Sequence, residues 1–177
     1  MDIKKISSAI RDIQGFPVKG IIFKDITPVL QDIKLFDEII DAIAGNFKDY
    51  KIDKIAGIES RGFIFGMPLA VKMNIPFIPI RKKGKLPAKT VSVSYELEYG
   101  SATIEIHEDA VKKDEKVLII DDLLATGGTT NAAIKLVERL GGNVVACAFV
   151  LELVFLKGRE KISNSNAEID IFSLLKY

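Results

Sequence analysis

Val117-Leu118-Ile119-Ile120-Asp121-Asp122-Leu123-Leu124-Ala125-Thr126-Gly127-Gly128-Thr129-Thr130 is the stretch whose reading decides the fold. Val117 to Ile120 is an unbroken apolar run entered through the polar turn Lys112 to Lys116, the pattern of a parallel strand covered on both faces. Sheets of that kind gather ligands at the carboxyl ends of their strands, and this end carries two adjacent carboxylates, Asp121 and Asp122. The glycines and hydroxyls of Ala125 to Thr130 follow, just before a helical pattern with Ala133, Leu136, Val137 and Leu140 on one face. Gly141-Gly142 ends that helix, and Val144 to Leu151 supplies a second buried strand, which completes a βαβ unit.

A glycine-rich loop at the amino end of a helix is a cradle for an anion, above all a phosphate. This loop is not a P-loop, since Gly-Lys-Ser/Thr is missing, and not a dinucleotide fingerprint, since Gly-x-Gly-x-x-Gly is missing. Carboxylates beside a phosphate repel it unless they face something else, and sugar hydroxyls or a bound Mg²⁺ fit that requirement. A phosphorylated ribose answers both halves of the stretch.

The same residues resemble the 5-phosphoribosyl pyrophosphate (PRPP) binding motif of the type I phosphoribosyltransferases, and their wording is nearest to the adenine-specific members. Alternating strands and helices already point to an α/β domain with a mainly parallel central sheet of about five strands flanked by helices. To this the resemblance adds a small amino-terminal hood, over about residues 1–32, and a mobile catalytic loop, over about residues 82–101, within a single phosphoribosyltransferase domain spanning 1–177. It implies Mg²⁺-dependent transfer of 5-phosphoribosyl from PRPP to adenine, giving AMP and pyrophosphate in purine salvage. Asp121 and Asp122 would then hold the ribose, and Ala125, Thr126, Gly127, Gly128, Thr129 and Thr130 the 5′-phosphate.

Working outward, Ile3, Ile6, Ile10 and Ile13 recur at helical spacing, which predicts one amphipathic helix ending before Gly15-Phe16-Pro17. Phe16 to Pro28 reads as a shaped loop around a short apolar segment, and it is similar to the adenine-binding hood, with Ile22, Phe23 and Lys24 at the base-reading positions. Lys24 stands where the family usually has arginine. Leu35, Phe36, Ile39, Ile40, Ile43 and Phe47 form a core helical stripe, and Ile52 to Ile58 a strand.

Glu59-Ser60-Arg61-Gly62 is a second strand-end loop before a helix. By residue type Arg61 fits either a surface ion pair or a second anion site, and the resemblance assigns it to the pyrophosphate and to catalysis; in the family the peptide just before it is often cis, and the sequence leaves the isomer here open. Pro76 to Ile80 leads into Arg81-Lys82-Lys83-Gly84-Lys85, the densest positive run of a chain whose formal net charge is +1. The resemblance makes Arg81, Lys82 and Lys85 further pyrophosphate contacts. Leu86 to Ser101 reads as a hairpin-like excursion of the sort that forms lids, and within it Glu98 and Tyr99 match the family's lid, Glu98 as the proton-handling catalytic residue and Tyr99 as a PRPP contact.

Near-neutral charge points away from nucleic acid, and no run reaches the roughly 20 apolar residues of a membrane span, so a cytoplasmic protein is expected. The lone Cys147, in an apolar strand, reads as a small buried hydrophobe, and the lone His107 has no second ligand beside it, so no direct side-chain metal site is expected and Mg²⁺ would arrive with PRPP. A homodimer is implied by the resemblance alone. The rival readings are a PRPP-sensing transcriptional regulator, for which no nucleic-acid module is evident, and a related enzyme acting on another base.

Overall fold

The computed structural model describes residues 3–96 and 100–177. It opens with helix α1 (Ile3–Ala9), strands β1 (Arg11–Gln14) and β2 (Ile22–Asp25), the short helix α2 (Thr27–Leu30) and helix α3 (Ile33–Asn46). Strand β3 (Lys54–Ile58), helix α4 (Arg61–Met73) and strands β4 (Phe77–Lys82), β5 (Thr90–Glu96), β6 (Ser101–His107) and β7 (Lys116–Leu124) follow. Helix α5 (Gly128–Arg139), strand β8 (Asn143–Glu152), a 3-10 turn (Val154–Leu156), helix α6 (Gly158–Ser165) and strand β9 (Asp170–Lys176) complete the chain.

Seven strands form one sheet in the order β5-β6-β4-β3-β7-β8-β9. The members from β4 to β9 run parallel, as the sequence implies, whereas β6 is antiparallel to β4 and β5 to β6. The excursion after the basic run therefore lengthens the sheet. Alternation along β7 explains its apolar run: Leu118 and Ile120 join the core on one face with Ile39, Ile43, Phe65 and Leu69, while Val117 and Ile119 join the other with Leu136, Val137 and Ile162. Each such fully buried aliphatic side chain contributes roughly 1.5–3 kcal/mol, so this interior strand is a firm support for a site at its end.

Asp32 caps α3, its side chain accepting from the backbone N–H groups of Lys34 and Leu35. Gly141, at φ +85°, turns the chain out of α5 as the glycine pair predicts. The amino-terminal helix is shorter than its periodicity suggests. It ends at Ala9, and Ile13 lies instead on β1, which pairs antiparallel with β2 to form a separate ribbon. Of the four isoleucines spaced for one helix, Ile3 and Ile6 lie on α1, Ile10 at the bend after it and Ile13 on β1, where pairing with β2 satisfies the backbone of residues 11–14.

Cys147 is fully buried, and burial pushes its thiol up to about 12, consistent with an inert core residue. Among the described residues no helix is long and apolar enough to cross a membrane.

Candidate active site

The carboxyl ends of β3 and β7 lie side by side, with Gly57 opposite Ile120, and the two strand-end loops of the sequence meet there. Strand β7 runs further than its apolar run, to Leu124, so Asp121 and Asp122 are strand residues rather than loop residues. The reason is pairing: Asp121, Leu123 and Leu124 continue the ladder with Phe149, Leu151 and Glu152 of β8. Asp122 is only 3% exposed, and its Oδ2 lies 2.8 Å from Nε of Arg61. Asp121 is half-buried and accepts from the Asp122 backbone N–H at 2.8 Å.

Burial, followed by the charge of Asp122, holds the Asp121 carboxyl well above the usual carboxylate range. Burial raises Asp122 as well, against the opposing pull of the Arg61 guanidinium. Two adjacent acids thus share one cation. Gly62 makes the approach possible: a Cβ there would stand 2.8 Å from the Ile120 carbonyl and 3.0 Å from Asp121 Oδ1. Ser60 and Arg61 open α4, and the non-proline cis bond is Glu59–Ser60, one peptide before the bond that precedes Arg61.

Ala125 to Gly127 form the turn and Gly128 to Thr130 the first turn of α5, with Gly127 at φ +76° as the residue before the helix. The N–H groups of that turn are the orphan donors of a helix amino end. Thr126 is exposed and Thr129 half-buried, whereas Thr130 is only 4% exposed, so its side chain belongs mainly to the core. The loop is braced from behind by Gly158, which lies in a stretch, Leu156 to Ile162, that resembles the family but has no role readable from the sequence. A Cβ on Gly158 would overlap the Ala125 carbonyl oxygen, and one on Gly127 would stand 2.7 Å from the Gly158 carbonyl oxygen. Arg159 fixes this strap through Nε and Nη2 on the Glu152 carboxylate at 3.0 and 2.6 Å, and through Nη1 on the Ile171 carbonyl at 2.7 Å.

The basic run is organised by Glu59, another residue whose role needed the strand register to be visible. Glu59 sits at the end of β3 beside β4, and its side chain is 6% exposed. It takes Nε of Arg81 at 3.1 Å, Nζ of Lys85 at 2.5 Å and the Lys82 backbone N–H at 3.0 Å, while the Lys82 side chain stays exposed. Burial opposes the charged form of Glu59, but the Lys85 ammonium, the Lys82 N–H and the Arg81 guanidinium outweigh it and hold the carboxyl below its ordinary range. Glu105, also buried, shapes the next turn by accepting from the N–H groups of Gly84, Lys85 and Leu86.

In the ribbon, alternation separates the expected base-reading residues. Phe23 packs edge-on to Phe16 and carries the Arg61 guanidinium 5.5 Å over its ring. Ile22 and Lys24 face a cavity of about 420 Å³, closed on its other side by Leu153, Phe155, Leu156 and Tyr177. Lys24 is tied to Asp12 at 2.7 Å and lies 4.0 Å over the Tyr177 ring. Glu98 and Tyr99 lie outside the described residues. Among the described residues no cluster of three or more histidine, cysteine or acidic side chains could hold a metal ion.

A strand-end acid pair stands just before a glycine loop that opens a helix, and one arginine links Asp122 of that pair to the apolar ribbon. Residues 26–173 match the family model of the phosphoribosyl transferase domain, and the chain belongs to the phosphoribosyltransferases. Within that class it stands among the adenine phosphoribosyltransferases. It is 55% identical over 176 residues to the one from Halothermothrix orenii, covering 99% of each chain. The crystal structure of the one from Thermoanaerobacter pseudethanolicus superposes with a TM-score of 0.95 at 52% identity, over 99% of this chain and 100% of that one. The Saccharomyces cerevisiae structure, complexed with adenine and an imino-altritol bisphosphate, superposes with a TM-score of 0.90 at 41% identity over 97% of both chains.

Proposed function

We propose that this protein transfers 5-phosphoribosyl from PRPP to adenine, giving AMP and pyrophosphate. The observation that carries the proposal is Arg61, which touches Asp122 on one side and Phe23 of the ribbon on the other, so that a ribose held at the acid pair lies within reach of a base under the ribbon. Relatives of high identity named for this reaction support it.

In the reaction a ring nitrogen of the base forms the C–N bond to the anomeric carbon as the C–O bond to pyrophosphate breaks, and the base gives up a proton. Because charge develops on the ribose ring and on the leaving pyrophosphate, positioning and electrostatics dominate the acceleration. Asp121 and Asp122 accept from the ribose hydroxyls and stabilise positive charge on the ring. The Ala125 to Thr130 loop donates to the 5′-phosphate, chiefly through backbone N–H groups and the Thr126 and Thr129 hydroxyls. Arg61, Arg81, Lys82 and Lys85 take the pyrophosphate, Arg61 by leaving Asp122 once the ribose satisfies that acid.

The free row of backbone groups on the β2 edge, with Ile22, Phe23 and Lys24, reads the base, and Leu153 and Phe155 complete its apolar wall. The resemblance assigns Glu98 the proton transfer and Tyr99 a PRPP contact. Mg²⁺ would be carried by PRPP, with the acid pair, engaged with Arg61 through Asp122, turned to the ribose. Bound to the diphosphate, Mg²⁺ neutralises the leaving group.

We assign residues 1–32 to the hood and 82–101 to the catalytic loop of one domain, and place the protein in the cytoplasm as a homodimer. A groove of about 650 Å³ between α3 and α4, bordered by the exposed Ile33, Met67 and Val71, supports pairing of two copies. An assay of PRPP and Mg²⁺ with a panel of bases tests the function: adenine is expected to be consumed, with hypoxanthine, guanine and orotate poor. Equal turnover of hypoxanthine would refute the base assignment.

A further inference from the structure

Strand β5 lies along α5, and two contacts join them: Arg139 Nη1 donates to the Ser92 carbonyl at 2.6 Å, and the Thr129 hydroxyl donates to Tyr95 Oη at 3.1 Å. The second contact is chemically unlike the first, because Thr129 stands in the helix turn that we assign to the 5′-phosphate. Tyr95 is also placed firmly. It pairs with Ala102 in the β5–β6 ladder, its ring packs against the core of that face, and its Cδ2 would lie 3.6 Å from a Cβ on Gly128.

A threonine hydroxyl has one proton to donate, and a phosphate dianion only accepts. When the loop holds a phosphate, Thr129 therefore gives its proton to that ligand, and the contact with Tyr95 survives only if the phenol becomes the donor, into a lone pair of Thr129 Oγ1. Both groups keep their own protons, and only the direction of the bond reverses. Resting on the 5′-phosphate reading, we infer that Tyr95 is a positioning residue, whose phenol orients the Thr129 hydroxyl toward the phosphate. Tyr95 lies within the segment assigned to the catalytic loop, three positions before Glu98 in the chain, so the same contact ties occupancy of the phosphate loop to the strand β5 of that segment.

Tyr95→Phe deletes one oxygen and keeps the ring, and so separates orientation from packing. We expect the KM for PRPP to rise about 3- to 10-fold, the size of one net hydrogen bond, with the KM for adenine within about twofold. Inhibition by AMP, which carries the 5′-phosphate, should weaken in parallel, while inhibition by pyrophosphate should not change. Thr129→Ala should weaken PRPP use, and adding Tyr95→Phe to it should cost nothing more, because the phenol acts only through that hydroxyl. Wild-type PRPP and AMP behaviour of Tyr95→Phe, or effects that multiply in the double variant, would overturn the inference. A silent Thr129→Ala would instead remove the phosphate reading beneath it.

Discussion

Strands β3 and β7 end side by side, each in buried acid, and the two ends are electrostatic opposites. Glu59, at the end of β3, meets two cations and a backbone N–H, and its carboxyl is held below the ordinary range. Asp121 and Asp122, on β7, meet one guanidinium between them, and Asp121 is held well above that range. An acid that the protein itself answers is scaffold, whereas an acid left short of donors and cations is kept for a ligand that brings them. The fold holds both within one pair of neighbouring parallel strands.

Removing the answered acid should have the largest effect. Glu59→Ala removes the acceptor of Arg81 Nε, Lys85 Nζ and the Lys82 backbone N–H at once, and we expect a loss on the order of 2 kcal/mol in urea unfolding, together with a rise of more than tenfold in the KM for PRPP. Because the folded pKa of Glu59 lies below its ordinary value of 4.5, the stabilisation it gives is present above that pH and is lost as pH falls through the folded value. The gap between variant and wild type should accordingly close in acid. A variant as stable as wild type at neutral pH would make Glu59 an ordinary surface-pair residue.

Removing the unanswered acid should separate activity from stability. Asp121 has a raised folded pKa, so its contribution to stability is full below its unfolded pKa and is lost as pH rises through the folded one. Above its unfolded pKa the raised folded pKa makes this acid a cost to stability, and Asp121→Asn should melt at or above the wild-type temperature at neutral pH while its KM for PRPP rises about tenfold or more. A lower melting temperature with unimpaired PRPP use would invert the comparison. The smallest effect is expected for Arg81→Ala. It leaves Lys85 on Glu59, and should raise the KM for PRPP about threefold to tenfold with the preference among bases unchanged, as read from the base panel.

Much of this was legible in the sequence where a local rule applied. The apolar run, the acid pair and the glycine loop stand together at 117–130, so the β7-loop-α5 unit and the acids at its mouth could be read without tertiary information. Glu59 stood in plain sight as the first residue of a loop, but its partners come from β4, and only the register that sets Ile58 against Ile80 brings them together. Gly158 and Arg159 brace the glycine loop from some 30 residues further along the chain, a contact that no periodicity encodes. Ile13 misled because its spacing continues the α1 pattern, while pairing across the ribbon decides its conformation. Leu123 and Leu124 extended the strand beyond the acids because β8 continues opposite them.

The contrast between the two strand ends is tested most directly by counting protons. In the free protein Asp121 keeps its proton over a range of pH where an ordinary carboxylate has lost it, and the hydroxyl donors of a ribose favour the ionised acceptor. Calorimetric titration with Mg²⁺ and PRPP, repeated in two buffers of different ionisation enthalpy at a series of pH values rising from the ordinary carboxylate pKa of 3.8, measures the protons released on binding. Wild type should release more protons than Asp121→Asn, and the excess should shrink as pH rises through the folded pKa. Equal proton release from the two proteins across that range would contradict the claim that this acid is held in reserve for the ligand.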